Sequence, residues 1–297
     1  MKTALLIVNP NSGKRKGEKQ AVYIRRKLAE AGLDCSVFVS RDLDSLHHFL
    51  DECALERFDL AGLVGGDGTM HAFMNRVLAR YERVPLPVAL FPCGTGNAFN
   101  FDIGCSSIDE TLKTILSNSR SYIDVAEVHC GSEMLWSFNI LGCGLVTDIN
   151  RLAERLRFLG SSRYTVASLI KLLKNPVRTL KISTEQGFLE ERFSFVLACN
   201  TRYTGKGMLM APHARLNDGK FDVIVVKACS MFTLLRLFPK LFKGKHLGAK
   251  ELIYLQTDRL EVSSGGISLD TNIDGELKGH TPFTLRVHPD IVQVFVQ

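Results

Sequence analysis

Three short loops rich in glycine and asparagine each follow an apolar run directly. They are "NPNSG" (9–13) after "ALLIV", "GGDGT" (65–69) after "FDLAGLV", and "PCGTGN" (92–97) after "PVALF". This placement constrains the fold more than any other feature of the chain. A short apolar run closed by turn residues reads as a buried strand. Helical spacing follows in residues 17–31, which stop at Gly32, in 43–54 (Leu43, Leu46, Phe49, Leu50 and Cys53), and in "TMHAFMNRVLAR" after the second loop. "CSVFVS" adds another strand. The alternation predicts a parallel sheet with helices on both faces. Ligands of such sheets bind beyond the carboxyl ends of the strands, and all three loops fall on that edge.

Glycine admits close backbone approach that other residues block. A strand–loop–helix turn also presents backbone N–H groups that suit a phosphate. Taken singly, the first and third loops read equally well as ordinary turns. "VNPNSGKRKG" is not a Walker A loop, because G-x-x-x-x-G-K-[ST] is absent. Three such loops on one edge point to a phosphate-bearing ligand.

After about Asp124 the pattern changes. Apolar strands such as "MLWSFNIL", "VRTLKIS", "FSFVLACN" and "FDVIVV" dominate, and helical spacing returns only near 148–173 and 231–243. A second, β-rich domain is expected over 125–284, after an α/β domain over 1–124. The segment 285–297, with "IVQVFVQ", is free to return to the first domain.

Composition narrows the partners. The net charge of +6 suits an anionic partner, with basic clusters at Lys14–Lys19 and Lys240–Lys250. No aromatic-rich RNA-binding motif is visible, so nucleic acid is not expected. No apolar run approaches the roughly 18 residues of a spanning helix, and the opening run is too short for a secretory segment. Eight scattered cysteines without a C-x-x-C pair read as reduced thiols, which implies a cytoplasmic protein without a zinc site.

"NPNSGK", "GGDGTMH" and "PCGTGNAF", in this order, resemble the diacylglycerol kinase catalytic-domain family, which includes bacterial diacylglycerol and lipid kinases, sphingosine kinases and ceramide kinases. "GCGLVTDINRLAERLRFLGSSRY", "MLMAPHARLNDGKFDVIVV" and "NIDGELKGHTPF" extend the resemblance over nearly the whole chain. It implies an NAD kinase/phosphofructokinase-like α/β domain, a β-rich lipid-substrate domain, and an active site in the cleft between them. It further implies an ATP- and Mg²⁺-dependent lipid kinase of lipid metabolism that contacts an anionic membrane surface peripherally. A homodimer is left open.

Carried over by position, Asn9, Pro10, Asn11, Ser12, Gly13, Ser40, Gly65, Gly66, Asp67, Gly68, Thr69, Met70, His71, Gly94, Thr95, Gly96 and Asn97 would contact ATP. Ser40 stands where a threonine is common and keeps the hydroxyl. Asp67 would act at the phosphates; the alternative is a carboxylate that caps the following helix. Asp274 and Glu276 of "DGE" can lie on one side of an extended chain and share proton transfer from the lipid hydroxyl. Alternatively, Asp274–Gly275 is a hairpin turn. Whether Asp67 or the Asp274/Glu276 pair is the base stays open.

"ARLNDGKFDV" (214–223) resembles a structural Mg²⁺ loop of the bacterial lipid kinases, with the Asp218 carboxylate and the Arg215 and Lys220 carbonyls as oxygen ligands, or is a plain turn. Asp148 would hold the acceptor's polar head, or serve as the N-cap of "INRLAERLR". The segment 231–247 mixes phenylalanine and leucine with lysine and arginine. It reads as a membrane-surface helix or a core helix with solvated lysines, and Pro239 is expected to kink or divide it. Two rivals remain: a kinase of a soluble substrate such as NAD, and a non-catalytic lipid-binding protein on the same fold.

Overall fold

The computed structural model describes residues 2–94, 97–174, 176–205 and 207–297. The chain divides into two compact units, Met1–Ile123 with Asp290–Gln297, and Asp124–Pro289.

Unit 1 is built on parallel strands β1 (Lys2–Val8), β2 (Leu33–Val39), β3 (Leu60–Gly65) and β4 (Val88–Pro92) in the order β2-β1-β3-β4. The end of the last strand of the chain, Phe283–Phe295, adds to β4 in parallel through Val294 opposite Val88. Side chains alternate across the sheet. Ala4, Leu6 and Val8 enter a core with Ile24, Leu28, Phe91 and Phe295, while Leu5, Ile7 and Leu63 are equally buried from the other side. Both faces are therefore covered, as an all-parallel sheet requires.

The helices of unit 1 are α1 (Ser12–Arg15), α2 (Gly17–Glu30), α3 (Leu43–Glu52), α4 (Asp67–Leu78), α5 (Ala98–Asp102) and α6 (Ile108–Leu116). Capping boxes start α3 at Asp42/Ser45 and α6 at Ser107/Glu110, each worth about 1 kcal/mol. α2 buries Ala21, Ile24 and Leu28 at helical spacing. Each of the two larger side chains contributes roughly 1.5–3 kcal/mol.

Unit 2 is mostly antiparallel. Its strands are β5 (Arg120–Cys130, entering from unit 1), β6 (Glu133–Ser137), β7 (Ile140–Gly144), β8 (Arg178–Thr184), β9 (Gly187–Cys199), the short pair β10 (Tyr203–Thr204) and β11 (Met208–Leu209), β12 (Phe221–Lys227), β13 (Leu252–Thr257), β14 (Arg259–Ser263), β15 (Asp270–Ile273), β16 (Glu276–His280) and β17 (Phe283–Phe295). Strand β9 is central, flanked by β7, β8 and β12. One core joins Phe193, Val196, Phe221, Val223, Val262 and Phe283. A second lies beneath α7 (Leu145–Arg155), α8 (Arg163–Lys174) and α9 (Met231–Leu241).

Three local expectations change. "MLWSFNIL" is two strands, because the chain leaves the ladder at Phe138–Asn139. The helix expected near 148–173 starts earlier and is broken by a 3₁₀ turn at Arg157–Ser162, where Gly160 has φ +59°. Pro239 does not divide α9. It sits in the last turn, and the helix runs on to Leu241.

Candidate active site

The three glycine loops meet within unit 1. Asn9 Nδ2 donates to Thr69 Oγ1 at 3.3 Å, joining the first loop to the second. The Gly65 carbonyl accepts the N–H groups of Cys93 and Gly94 at 2.7 and 3.0 Å, joining the second to the third. Glycine makes this packing feasible. A Cβ on Gly94 would stand 2.9 Å from Gly66 Cα, and one on Gly13 2.4 Å from the Cys93 carbonyl oxygen. Gly13 also has φ +59°, which L side chains rarely adopt.

Around this contact the polar groups are ordered by local bonds. Asn9 Oδ1 accepts the Asn11 N–H at 3.0 Å, and the Asn9 carbonyl accepts the Ser12 hydroxyl at 2.9 Å. Pro10 lies between them, half-buried. Ser40 follows β2 on the same sheet edge, and its N–H donates to the Val8 carbonyl at 2.8 Å. Its hydroxyl donates to the Asp42 carbonyl at 2.9 Å. Helix α4 begins after Gly66, which offers no side-chain cap. Gly68 is exposed in its first turn, whereas Thr69, Met70 and His71 are buried. Their side chains are thus withdrawn from solvent, and the Met70 N–H already donates to the Gly66 carbonyl at 3.2 Å. Burial pushes the Cys93 thiol up to about 11, so it stays protonated at neutral pH.

Asp67 does not cap its own helix. Its Oδ2 accepts the Ala98 N–H at 2.9 Å and its Oδ1 the Phe99 N–H at 3.4 Å. The carboxylate thus caps α5, whose own N-cap residue, Asn97, gives no side-chain cap. Asn97 has φ +42°, donates through Nδ2 to the Gly94 carbonyl at 2.9 Å, and leaves Oδ1 buried without a partner. Thr95 and Gly96 lie outside the described residues.

In unit 2, Asp274 and Glu276 part company. The extended-chain reading gives way to a two-residue hairpin turn, with Ile273 opposite Glu276 and φ of +54° at Asp274 and +96° at Gly275. Asp274 is buried. Its Oδ1 accepts from the Ser137 hydroxyl and the Asn139 and Ile140 N–H groups at 2.9–3.1 Å, and its Oδ2 from the Phe138 N–H at 3.3 Å. This is why "MLWSFNIL" breaks where it does: those N–H groups turn to a carboxylate instead of a strand. Glu276 is exposed beside it.

Asp148 lies inside the first turn of α7, after Gly144, so it is not an N-cap. It pairs with Arg178 at 2.8 Å. In the 214–220 loop, Asp218 Oδ1 accepts the Lys220 N–H at 3.2 Å. Arg215 and Lys220 are exposed. Asp124 was not anticipated: its Oδ2 accepts the Gly219 N–H at 2.7 Å and its N–H donates to the Leu216 carbonyl at 2.6 Å. No spacing signal could reveal a partner so distant in sequence. Nearby, burial raises the Asp222 carboxyl, which is bonded by the Tyr254 hydroxyl.

Residues 3–128 match the model of the diacylglycerol kinase catalytic domain, and residues 139–296 that of the YegS C-terminal NAD kinase beta sandwich-like domain. The chain is 27% identical over 286 residues to a diacylglycerol kinase of Bacillus subtilis (strain 168), covering 95% of this chain and 92% of that one. It is 24% identical over 314 residues to sphingosine kinase 1 of Arabidopsis thaliana, covering 89% and 64%. Among solved structures, a diacylglycerol kinase from Bacillus anthracis str. Sterne superposes with a TM-score of 0.73 at 19% identity, covering 100% of this chain and 97% of that one. An NAD kinase from Archaeoglobus fulgidus in complex with ATP gives 0.51 at 13% identity, covering 99% and 93%. By its motifs, its two matched domains and its fold, the chain belongs to the diacylglycerol kinase catalytic-domain family, in the form that carries a YegS-type C-terminal domain.

Proposed function

We propose that the protein is a lipid kinase that transfers the γ-phosphate of ATP to a hydroxyl of a lipid such as a diacylglycerol or a sphingoid-type lipid. One observation carries the reading: the three glycine loops converge through backbone contacts at Gly13, Gly66 and Gly94, beside the Asp67 carboxylate. Phosphoryl transfer demands positioning and charge neutralisation more than covalent help. The uncapped start of α4 and the glycine backbone offer N–H groups suited to phosphate oxygens. The side chains of Asn9, Ser12 and Ser40, held in place by their local bonds, are assigned to the rest of the nucleotide.

The candidate metal donors are oxygen only, the Asp218 carboxylate and the Arg215 and Lys220 carbonyls, which fits a hard cation such as Mg²⁺. That loop's cation would be structural; a separate Mg²⁺ at the phosphates, held through Asp67, would offset their charge. Asp67 works at the phosphate side and also fixes the third loop through Ala98 and Phe99. On the acceptor side Asp274 holds its turn rigid, and Glu276 takes up the proton of the lipid hydroxyl. Asp148, neutralised by Arg178, is assigned to the acceptor's polar head. Among the described residues no helix is long and apolar enough to cross a membrane. Access to the lipid is then proposed to be peripheral.

The test is incubation with labelled ATP and Mg²⁺ in two arms, one with extracted lipids and one with NAD, with products read by mass. A phosphorylated lipid is expected. Label in NADP and none in lipid would replace the reading with a soluble-substrate kinase, and lipid binding without any turnover would replace it with a binding protein.

A further inference from the structure

Unit 2 holds an open cavity of about 380 Å³ that the kinase reading leaves unused. Gln186, His213, Lys220, Tyr254, Leu255 and Gln256 line it. Gln186 comes from the turn between β8 and β9, His213 and Lys220 from the segment before β12, and the other three from β13. Among the described residues β13 pairs with β12 alone, so the cavity lies along a sheet edge.

Beneath this wall sits Asp222, which has no exposed surface. It stands directly across the ladder from Gln256. The Tyr254 hydroxyl and Gln256 Nε2 both donate to Asp222 Oδ1, the amide at 3.3 Å. The His213 backbone bonds the same hydroxyl, and the His213 ring stands edge-on to Tyr254 at 5.8 Å. Gln186 Nε2 donates to the Gln256 carbonyl at 2.7 Å. The wall is thus ordered before any ligand arrives, which lowers the cost of binding.

These bonds leave a definite set of groups over. Both amide nitrogens are spent, so Gln186 and Gln256 offer their Oε1 atoms, which only accept. The Asp222 charge is covered by Tyr254 and Gln256. Lys220 spends its backbone N–H on Asp218, but its ammonium has no acidic partner among the described residues. One ammonium beside an imidazole suits a phosphate group, which lysine meets as a point charge. An anion without hydroxyls would leave the two amide oxygens unpaired. Ligand sites span roughly 300–1,000 Å³, so a cavity of about 380 Å³ suits a small molecule.

We propose that this cavity binds a small hydroxylated phosphate monoester. Lys220 and His213 meet the phosphate, the hydroxyls donate to Gln186 and Gln256, and the carbon skeleton rests on Leu255 and the Tyr254 ring. Such an ester occurs free or as the headgroup of a phosphorylated lipid, and the site reads the chemistry the two share.

The experiment is calorimetric titration of the full chain with glycerol 3-phosphate, without ATP, beside inorganic phosphate and glycerol as comparison probes. One site per chain is expected, with both comparison probes at least tenfold weaker. Lys220→Gln should weaken binding at least tenfold and Gln186→Ala about threefold. Lys113→Gln, exposed in unit 1, should bind as the wild type does. Unchanged thermal midpoints show that the variants fold. Short-chain phosphatidic acid below its micellar concentration names the source: competition assigns the site to a lipid headgroup, and failure to compete assigns it to the free ester, both in support.

Wild-type protein that binds none of the probes would overturn the proposal. So would equal affinity for inorganic phosphate and the ester, or a Lys220→Gln variant that binds like the wild type. Full displacement of the ester by ATP, with binding lost in Asn9→Ala, would move the ester to the glycine loops and also overturn it. Because no turnover is read, failure of the kinase reading shows separately and leaves this result standing.

Discussion

Two aspartates, each followed by glycine, sit in the two units and do opposite things with one chemistry. Asp67 opens a helix, stays half-buried, and holds a neighbouring loop through the Ala98 and Phe99 N–H groups. Asp274 occupies a hairpin turn at φ +54°, is buried, and gathers four donors from residues 137–140. A carboxylate that accepts backbone N–H groups can be a working group with structural duties, or a structural group alone. Exposure separates the cases. Asp67 keeps access to a ligand beside it, whereas the accessible acid next to Asp274 is Glu276.

Substitution tests this contrast most severely. Asp67→Asn should lower turnover by about 100- to 1,000-fold while the urea midpoint barely moves. Asp274→Asn should reverse the pattern, placing an amide N–H against backbone donors at a cost of about 1–3 kcal/mol in denaturant unfolding. Equal midpoints for the two variants would erase the distinction. Glu276→Gln sharpens it: turnover should fall by about 100-fold with stability unchanged, since the side chain is exposed. Wild-type turnover in that variant would return the proton to another group.

A smaller effect is expected from Gly94→Ala. Its Cβ would press on Gly66 Cα and on Asn97 Oδ1 at 2.7 Å, so the second and third loops must separate. The KM for ATP should rise about tenfold, because sub-ångström misplacement of positioning groups is costly. A proportional loss in kcat alone would point to Asp67 displacement instead.

The smallest expected change separates the units by pH. His246 in unit 2 is buried, donates through Nε2 to the Met210 carbonyl at 2.8 Å, and leaves Nδ1 without a partner. Burial holds its pKa below the usual 6.5. The unfolded chain therefore takes the proton first as pH falls. The stability contributed by neutral His246 is complete above pH 6.5 and is lost below it, by at most about 1.4 kcal/mol per pH unit, until the folded histidine also protonates. Urea unfolding followed by the single tryptophan, Trp136 in unit 2, should show this slope. His246→Gln, which keeps a donor for Met210, should flatten it.

Much of unit 1 was legible because its signals are local. Each strand ends at a turn residue, and the loops carry glycine where two backbones touch. What joins the loops was not legible, since Asp67 finds Ala98 and Phe99 in another loop, and neither N–H has a signature in sequence. In unit 2 apolar alternation revealed strands but not their breaks. The division at Phe138–Asn139 depends on Asp274, far along the chain, and Asp148 reads as a cap until the helix is seen to begin at Leu145. Long-range carboxylate contacts of this kind decide the site, and periodicity does not report them.

The returning segment Asp290–Gln297 has a consequence for biosynthesis. It supplies Phe295 to the unit 1 core, and Gln297 donates its N–H to the Ile103 carbonyl at 2.9 Å. A ribosome releases the chain from its amino end, so the glycine-loop unit waits, incomplete, until the whole β-rich unit has been made. Of the two units, the one translated first is therefore finished last, and removal of Asp290–Gln297 would injure unit 1 before it touched the helices of unit 2.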